Sequence, residues 1–487
     1  MLLFLALQSA CMPIPTVRSE LNLASPDYRV SPDAVQSEYV SLPGFGEPNT
    51  PANYNRTFYL RYFTPERETS PKTIVVMMPG LFAGATSLDL YARQLMASRE
   101  GLEVWTVDRR ANALEDRSAM IQSLERRDPQ LAYDYYVTNA GRPGGFTALS
   151  PDELRFTAFW GLEVHLRDLH EVVKRARRQA DTVILGGHSL GGSLVNFYSS
   201  FDLGGGDAPD PGYAHIDGLL LLDGILSKTG GFGWEEEGFT IREIQLIASK
   251  SDLEAGRGDP YMAEGFDPTS AAQTEVVSLF ARFAPDALSP GGFVNYPTTN
   301  RAVAGILEDD QYGFSSVFSV SVGEVTDATF AGNLFAVLLD GAQGMRSSTV
   351  MGVTPGASAV GWERGNPERE VTDLDAYVRS KSSLTTNSSE WYFLLRLGLD
   401  MIQLDATLEN TPNFVPTNDV PTPTLAVGAG RGLVRSFEDF SAYGAARGIG
   451  ARFSAYIIGG FTHSDLIAAE QNPVVPLTLQ WLDQVGR

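Results

Sequence analysis

The stretch Val183-Ile184-Leu185-Gly186-Gly187-His188-Ser189-Leu190-Gly191-Gly192 constrains this chain more than any other. An apolar run of β-type residues stops at two glycines, a serine follows, and Ser193-Leu194-Val195-Asn196-Phe197-Tyr198 reads as a helix. In a strand, tight turn and helix built around Gly-x-Ser-x-Gly, the serine takes a strained backbone conformation. The glycines stand where a Cβ would strike the neighbouring strand or helix. The turn lifts the hydroxyl clear of the sheet, and the helix offers backbone N–H groups to a developing negative charge. A Gly-Ser-rich loop without chemistry is the bland alternative, and the flanking strand and helix disfavour it.

In this setting Gly187-His188-Ser189-Leu190-Gly191 resembles the nucleophile elbow of the α/β-hydrolase family, with His188 as in its lipase/esterase-like members. The resemblance implies an α/β fold with a mostly parallel central sheet flanked by helices, and Ser189 as nucleophile. Upstream, Thr57 to Phe63 alternates and is aromatic, a strand pattern. Thr73 to Met78 is continuously apolar, as in a sheet buried on both faces. Pro79-Gly80-Leu81-Phe82-Ala83-Gly84 follows. In the resembled family the loop after the third strand supplies a second oxyanion donor, often from His-Gly-x; here Pro79 replaces the histidine. The resemblance gives that role to the N–H of Leu81, with Phe82 as fallback, beside the N–H of Leu190.

Leu88 to Ala97 patterns as a helix and Leu102 to Asp108 as the next strand. Asp108-Arg109-Arg110-Ala111-Asn112 is similar to the family's Asp-x-Arg turn, and Asp108 is expected to form a structural salt bridge with the two arginines. Residues 118–150 are a polar, Tyr- and Gly-rich excursion, expected to line the site entrance. Pro151 to Ala180 reads as one long helix, with Pro151 at its start and Asp152 and Glu153 in its first turn. His165 and His170 fall on it and read as surface or packing residues, because the family's catalytic histidine comes near the chain end.

Gly218 to Gly224 is the sixth strand, with Asp223 at its C-terminal end, where parallel sheets bind ligands. From 225 to 415 the pattern turns to helical segments (271–283, 301–309, 330–339 and 391–404) and loops, with an acidic run at 235–237. An insertion of this size resembles the family's cap or lid, which shapes the pocket and excludes water. The core resumes with the seventh strand at 421–428 and the last at 452–458, and a helix over 475–485 closes the chain. His463, just after the last strand, matches the family position of the general base. For the acid, Gly428-Ala429-Gly430-Arg431-Gly432 holds no carboxylate. Asp223 is favoured because it sits at a strand end, with Glu438 or Asp439 as fallback.

Of 487 residues 43% are hydrophobic and 20% charged, the balance of a globular chain. The net charge of −22 repels nucleic acid and anionic surfaces. Cys11 is the only cysteine, which excludes an intrachain disulfide and a thiolate metal site. No metal or organic cofactor is implied. Met1 to Ala10 is apolar, too short to span a bilayer, and similar to the tail of a secretory signal. Leu7-Gln8-Ser9-Ala10-Cys11 resembles a bacterial lipoprotein processing box, although no Lys or Arg precedes it. Export is expected, to the periplasm, the outer membrane or the exterior, with membrane attachment through a lipidated Cys11.

The organisation read from the sequence is a signal segment (1–11), an N-terminal arm (12–43), a hydrolase core (44–224 and 416–487) and a cap (225–415). The function implied is a serine-dependent ester hydrolase, acting through an acyl-enzyme on small or lipid-like apolar esters. Acyl transfer to an alcohol and amide cleavage use the same triad. A non-catalytic surface-binding lipoprotein on the same scaffold is the alternative from another class; Ser189, its glycines and His463 favour the enzyme.

Overall fold

The computed structural model describes residues 16–18, 24–64, 71–204, 208–224, 249–262, 267–313, 318–330, 353–402, 404, 411–416 and 420–485. Cys11, the acidic run at 235–237 and all but the first residue of the helix expected over 330–339 lie outside the described residues. Phe330 itself ends a strand.

Seven strands precede the insertion: β1 (Thr16–Arg18), β2 (Gln36–Pro43), β3 (Arg56–Phe63), β4 (Thr73–Met78), β5 (Leu102–Asp108), β6 (Thr182–His188) and β7 (Gly218–Leu222). Within it lie β8 (Glu324–Thr326), β9 (Ala328–Phe330), β10 (Val353–Pro355) and β11 (Gly361–Glu363), and after it come β12 (Thr424–Ala429) and β13 (Phe453–Ile458). One nine-stranded sheet runs in the order β1-β13-β12-β7-β6-β4-β5-β3-β2. Its centre is parallel, and β3 pairs antiparallel with both β2 and β5. The strand numbers used for the sequence follow the family's count, which leaves out the edge strand β1, so its sixth strand is β7 and the insertion follows β7.

Successive residues of a strand point to opposite faces, and here the central strands feed two cores. Ile74 and Val76 of β4 and Leu219 and Leu221 of β7 join one core, with Leu166 and Leu169 of the helix Leu162–Arg177 and Leu194 of the helix Leu190–Ser200. Val75, Met77, Leu220 and Leu222 join the other, with Tyr91 and Leu95 of the helix Asp89–Ser98 and Trp481 of the helix Val474–Val485. Burial on both faces is why these strands are unbroken apolar runs. Within the insertion, the helices Pro268–Phe283, Asn300–Glu308 and Leu374–Lys381 share a smaller core around Val277, Val303 and Val378. β8 pairs with β11, and β9 with β10. Among the described residues no helix is long and apolar enough to cross a membrane.

Two elements differ from the sequence reading. Residues 36–43, read as part of a loose arm, form a full edge strand against β3. β2 is half exposed and therefore lacks the apolar run that marks the buried strands. The long helix expected from Pro151 begins only at Leu162, and Arg155–Phe159 is a short 3₁₀ turn. Gly161, in extended conformation, separates the two. Asp400, from the helix Leu395–Ile402 of the insertion, accepts the Leu162 N–H at 2.9 Å. The helix cap thus comes from a residue far away in sequence, which no local pattern reveals.

Candidate active site

β6 ends at His188, and the helix Leu190–Ser200 begins one residue later. Ser189 alone makes the turn, with φ 57° and ψ −127°. This is a left-handed conformation that costs a side-chain-bearing residue energy and persists only where its surroundings hold it. They do so through the backbone. The Ser189 N–H donates to the Leu222 carbonyl at 3.0 Å, and the Gly192 N–H returns to the Ser189 carbonyl at 2.9 Å. A Cβ on Gly187 would collide with the backbone of Gly191, and one on Gly191 with the carbonyl of Met78. The sharp turn therefore requires glycine at both places. Leu190 supplies the first N–H of the helix, which has no acceptor within it.

The loop after β4 comes up beside the serine. A Cβ on Gly80 would stand 3.0 Å from Ser189 Cβ and 3.5 Å from its Oγ. Leu81 and Phe82 follow directly, Phe82 with φ 55°, and the Phe82 ring meets that of Phe393 edge-on at 5.2 Å.

His463 lies in the loop after β13, on the same side. Its Nδ1 is 2.6 Å from Oδ2 of Asp223. Asp223 also accepts the N–H groups of Leu433 (2.7 Å), Val434 (2.9 Å) and Ala429 (3.1 Å). Burial alone would push its carboxyl up, but the hydrogen bond and charge of His463, with the N–H groups of Leu433 and Val434, bring it below its ordinary value. Asp223 is thus a buried, ionised partner of His463. Glu438 and Asp439 are exposed in the first turn of the helix Phe437–Arg447, where Asp439 accepts from Ser436 at 2.8 Å.

The His188 ring lies tilted against that of His463, with centroids 4.2 Å apart, and its Nε2 lies 3.0 Å from the His463 carbonyl. Burial, aided by the neighbouring imidazole of His463, pushes His188 down to about 3. It is therefore neutral, and Nε2–H donates to that carbonyl. Phe318 of the insertion, 39% exposed, sets its ring edge-on to His463 at 5.3 Å. Two residues beyond His463, buried Asp465 accepts from Ser321 N–H and Oγ (2.9 Å each), Thr372 Oγ1 (2.8 Å) and Thr462 N–H (3.0 Å). These contacts anchor the histidine loop to the insertion.

Ser189, Gly80, His463 and Asp223 are thus brought together at the C-terminal ends of β4, β6, β7 and β13. The salt bridge expected of Asp108 with the two arginines is absent. Asp108 instead accepts from Ala85 N–H (2.5 Å), Tyr39 (3.0 Å) and Thr386. Arg110 forks onto Asp168 at 2.6 and 2.7 Å, and Arg109 onto Glu390. A buried cation needs a carboxylate aligned with its fork, and Asp108 is already occupied by neutral donors. His165 is buried against the Gly161 carbonyl (2.8 Å), and His170 pairs with Tyr198 (2.9 Å). Phe318, Asp465 and Glu390 were not singled out from the sequence; all lie at or against the insertion, whose irregular segments carry no periodic signal.

No protein-family model matches the chain, and no curated protein does. Solved structures do. A presumed lipase from Sulfolobus solfataricus is 17% identical with a TM-score of 0.50, over 96% of this chain and 98% of that one. A thermophilic esterase from Thermogutta terrifontis is 11% identical, over 92% and 100%, with a TM-score of 0.39. A soluble variant of monoglyceride lipase from Saccharomyces cerevisiae is 13% identical, over 96% and 97%, with a TM-score of 0.38. At these identities the likeness is one of fold, and the first of the three carries it. With its sheet order and the insertion after the sixth counted strand, the chain has the α/β-hydrolase fold.

Proposed function

We propose that the chain is a serine-dependent ester hydrolase. The observation that carries this reading is the strained Ser189 turn beside the buried His463–Asp223 pair. Asp223 holds Nδ1 of His463, which leaves Nε2 to take the proton from Ser189. The Ser189 Oγ adds to the ester carbonyl, and the oxyanion that forms is met by the N–H groups of Leu190 and Leu81. As the tetrahedral adduct collapses, His463 returns the proton to the leaving alcohol and an acyl-enzyme remains. Water, with His463 again as base, releases the acid and restores Ser189. Phe82, Phe393 and Phe318 give the surroundings an apolar character that suits an uncharged ester. On sequence grounds the proposal includes export and lipid attachment at Cys11.

Hydrolysis of p-nitrophenyl esters of increasing acyl length, with Ser189→Ala as control, tests this. Turnover by the parent and its loss in the variant supports the proposal, and the chain-length profile reports the depth of the pocket. No turnover at any length contradicts it.

A further inference from the structure

The turn that carries Gly80 and Leu81 is held by one side chain from another strand end. Arg109 donates from Nη1 to the Pro79 carbonyl at 3.1 Å, and from Nη2 to the Gly80 and Ala83 carbonyls at 2.9 Å each. Glu390 closes the same guanidinium from the other side, 3.1 and 3.0 Å from Nε and 2.6 Å from Nη2. Both side chains are 1% exposed. Arg109 follows β5 in the core, whereas Glu390 comes from the insertion. The insertion's backbone runs along the turn as a short ribbon: Gly84 N–H donates to Ser388 O at 2.7 Å and Glu390 N–H to Phe82 O at 2.9 Å.

A trans peptide points its C=O and its N–H in opposite directions. A guanidinium that draws the Gly80 carbonyl toward itself therefore turns the Leu81 N–H away from itself, while Gly80 lies against Ser189. Only a planar fork with several donors serves three carbonyls and a carboxylate at once, which is a task for arginine and not for lysine. The carboxylate is needed in turn, because a buried guanidinium without a counter-charge is strongly disfavoured.

We propose that Arg109 and Glu390 are positioning residues for the oxyanion site: Glu390 of the cap fixes Arg109, and Arg109 orients the Leu81 N–H toward the charge that develops on the substrate oxygen. This rests on the reading of Ser189 and Leu81 given above. Neither side chain touches the reacting atoms. The cap segment 386–391 is on this account a fixed part of the catalytic apparatus, not only a cover over it.

The test uses the full chain, with Glu390→Gln, Glu390→Asp and Arg109→Lys beside the parent. The readouts are kcat and KM on p-nitrophenyl butyrate and the affinity for a trifluoromethyl ketone, which forms an oxyanion adduct with a serine hydroxyl. Glu390→Gln is expected to lower kcat about tenfold and Arg109→Lys about a hundredfold, with KM within about threefold, since removal of one such donor costs about 10²–10³. Affinity for the ketone is expected to fall in step with kcat, as for an interaction made with the transition state. Glu390→Asp, which keeps the charge, recovers part of the loss. Should Glu390→Gln fail to fold, Arg109→Lys, which keeps the buried charge, carries the test. Variants with parental kcat and ketone affinity, or with raised KM alone, overturn the inference. A parent that neither turns over esters nor binds the ketone removes the function it rests on, which is a separate outcome.

Discussion

Nδ1 of His463 and Oδ2 of Asp223 lie 2.6 Å apart although 240 residues separate them in the chain. The pair exists because β7 and β13 both flank β12 in parallel, so that both strands end on the same side of the sheet. Three backbone N–H groups from residues 429–434 complete the shell of the carboxylate.

Asp223→Asn should therefore cut kcat by about 10²–10⁴, the range for a lost triad acid. Glu438→Gln and Asp439→Asn, at exposed positions, should leave it unchanged. Because the folded Asp223 titrates below its ordinary value, its stabilising contribution is present above about pH 4 and lost as pH falls through the folded value. An acid titration followed by near-UV circular dichroism should show that loss in the parent and a flatter profile in Asp223→Asn. Equal esterase activity of Asp223→Asn and parent would exclude Asp223 as the acid.

Phe318→Ala should lower kcat/KM by about 3–10-fold, the value of one aromatic contact, with little change in thermal stability because the ring is partly exposed. Esters of bulky alcohols should suffer most if His463, which the Phe318 ring meets edge-on, protonates the leaving group as proposed. A series of alcohols with a fixed acyl chain measures this; a uniform loss across the series would argue against such a place for the ring.

Asp309 of the insertion supplies a pH test of stability. Its carboxylate accepts the N–H groups of Gln311 (2.8 Å) and Val322 (3.0 Å), yet burial raises it from 3.8 to about 6. The folded chain then holds a proton between about pH 4 and pH 6 that the unfolded chain has released. Its stabilising effect is complete below pH 4 and is lost as pH rises through 6, a change on the order of 2–3 kcal/mol. Asp309→Asn should remove that slope. Melting temperatures of parent and variant at pH 4.5 and pH 7.5 check it, and parallel shifts would contradict the assignment.

The central strands and the Ser189 turn were legible in the sequence because their causes are local: apolar runs, glycines that avoid a collision, and a helix after the turn. Asp223 was reachable because strand ends in a parallel sheet are predictable places for ligand-facing groups. β2 was not, since a half-exposed edge strand owes its existence to pairing with β3. Nor was the start of the helix at Leu162, whose cap is Asp400. The Arg109–Glu390 pair was hidden for the same reason: Arg109 sits beside Asp108, and its partner comes from a segment of the insertion without periodicity.

The most direct measurement is reaction of the full chain with a fluorophosphonate, followed by mass spectrometry of the peptides. One phosphonate per chain is expected, on the peptide containing Ser189 and bonded to Ser189, with no label in Ser189→Ala. An unlabelled chain, or a label on another serine such as Ser193, would contradict it.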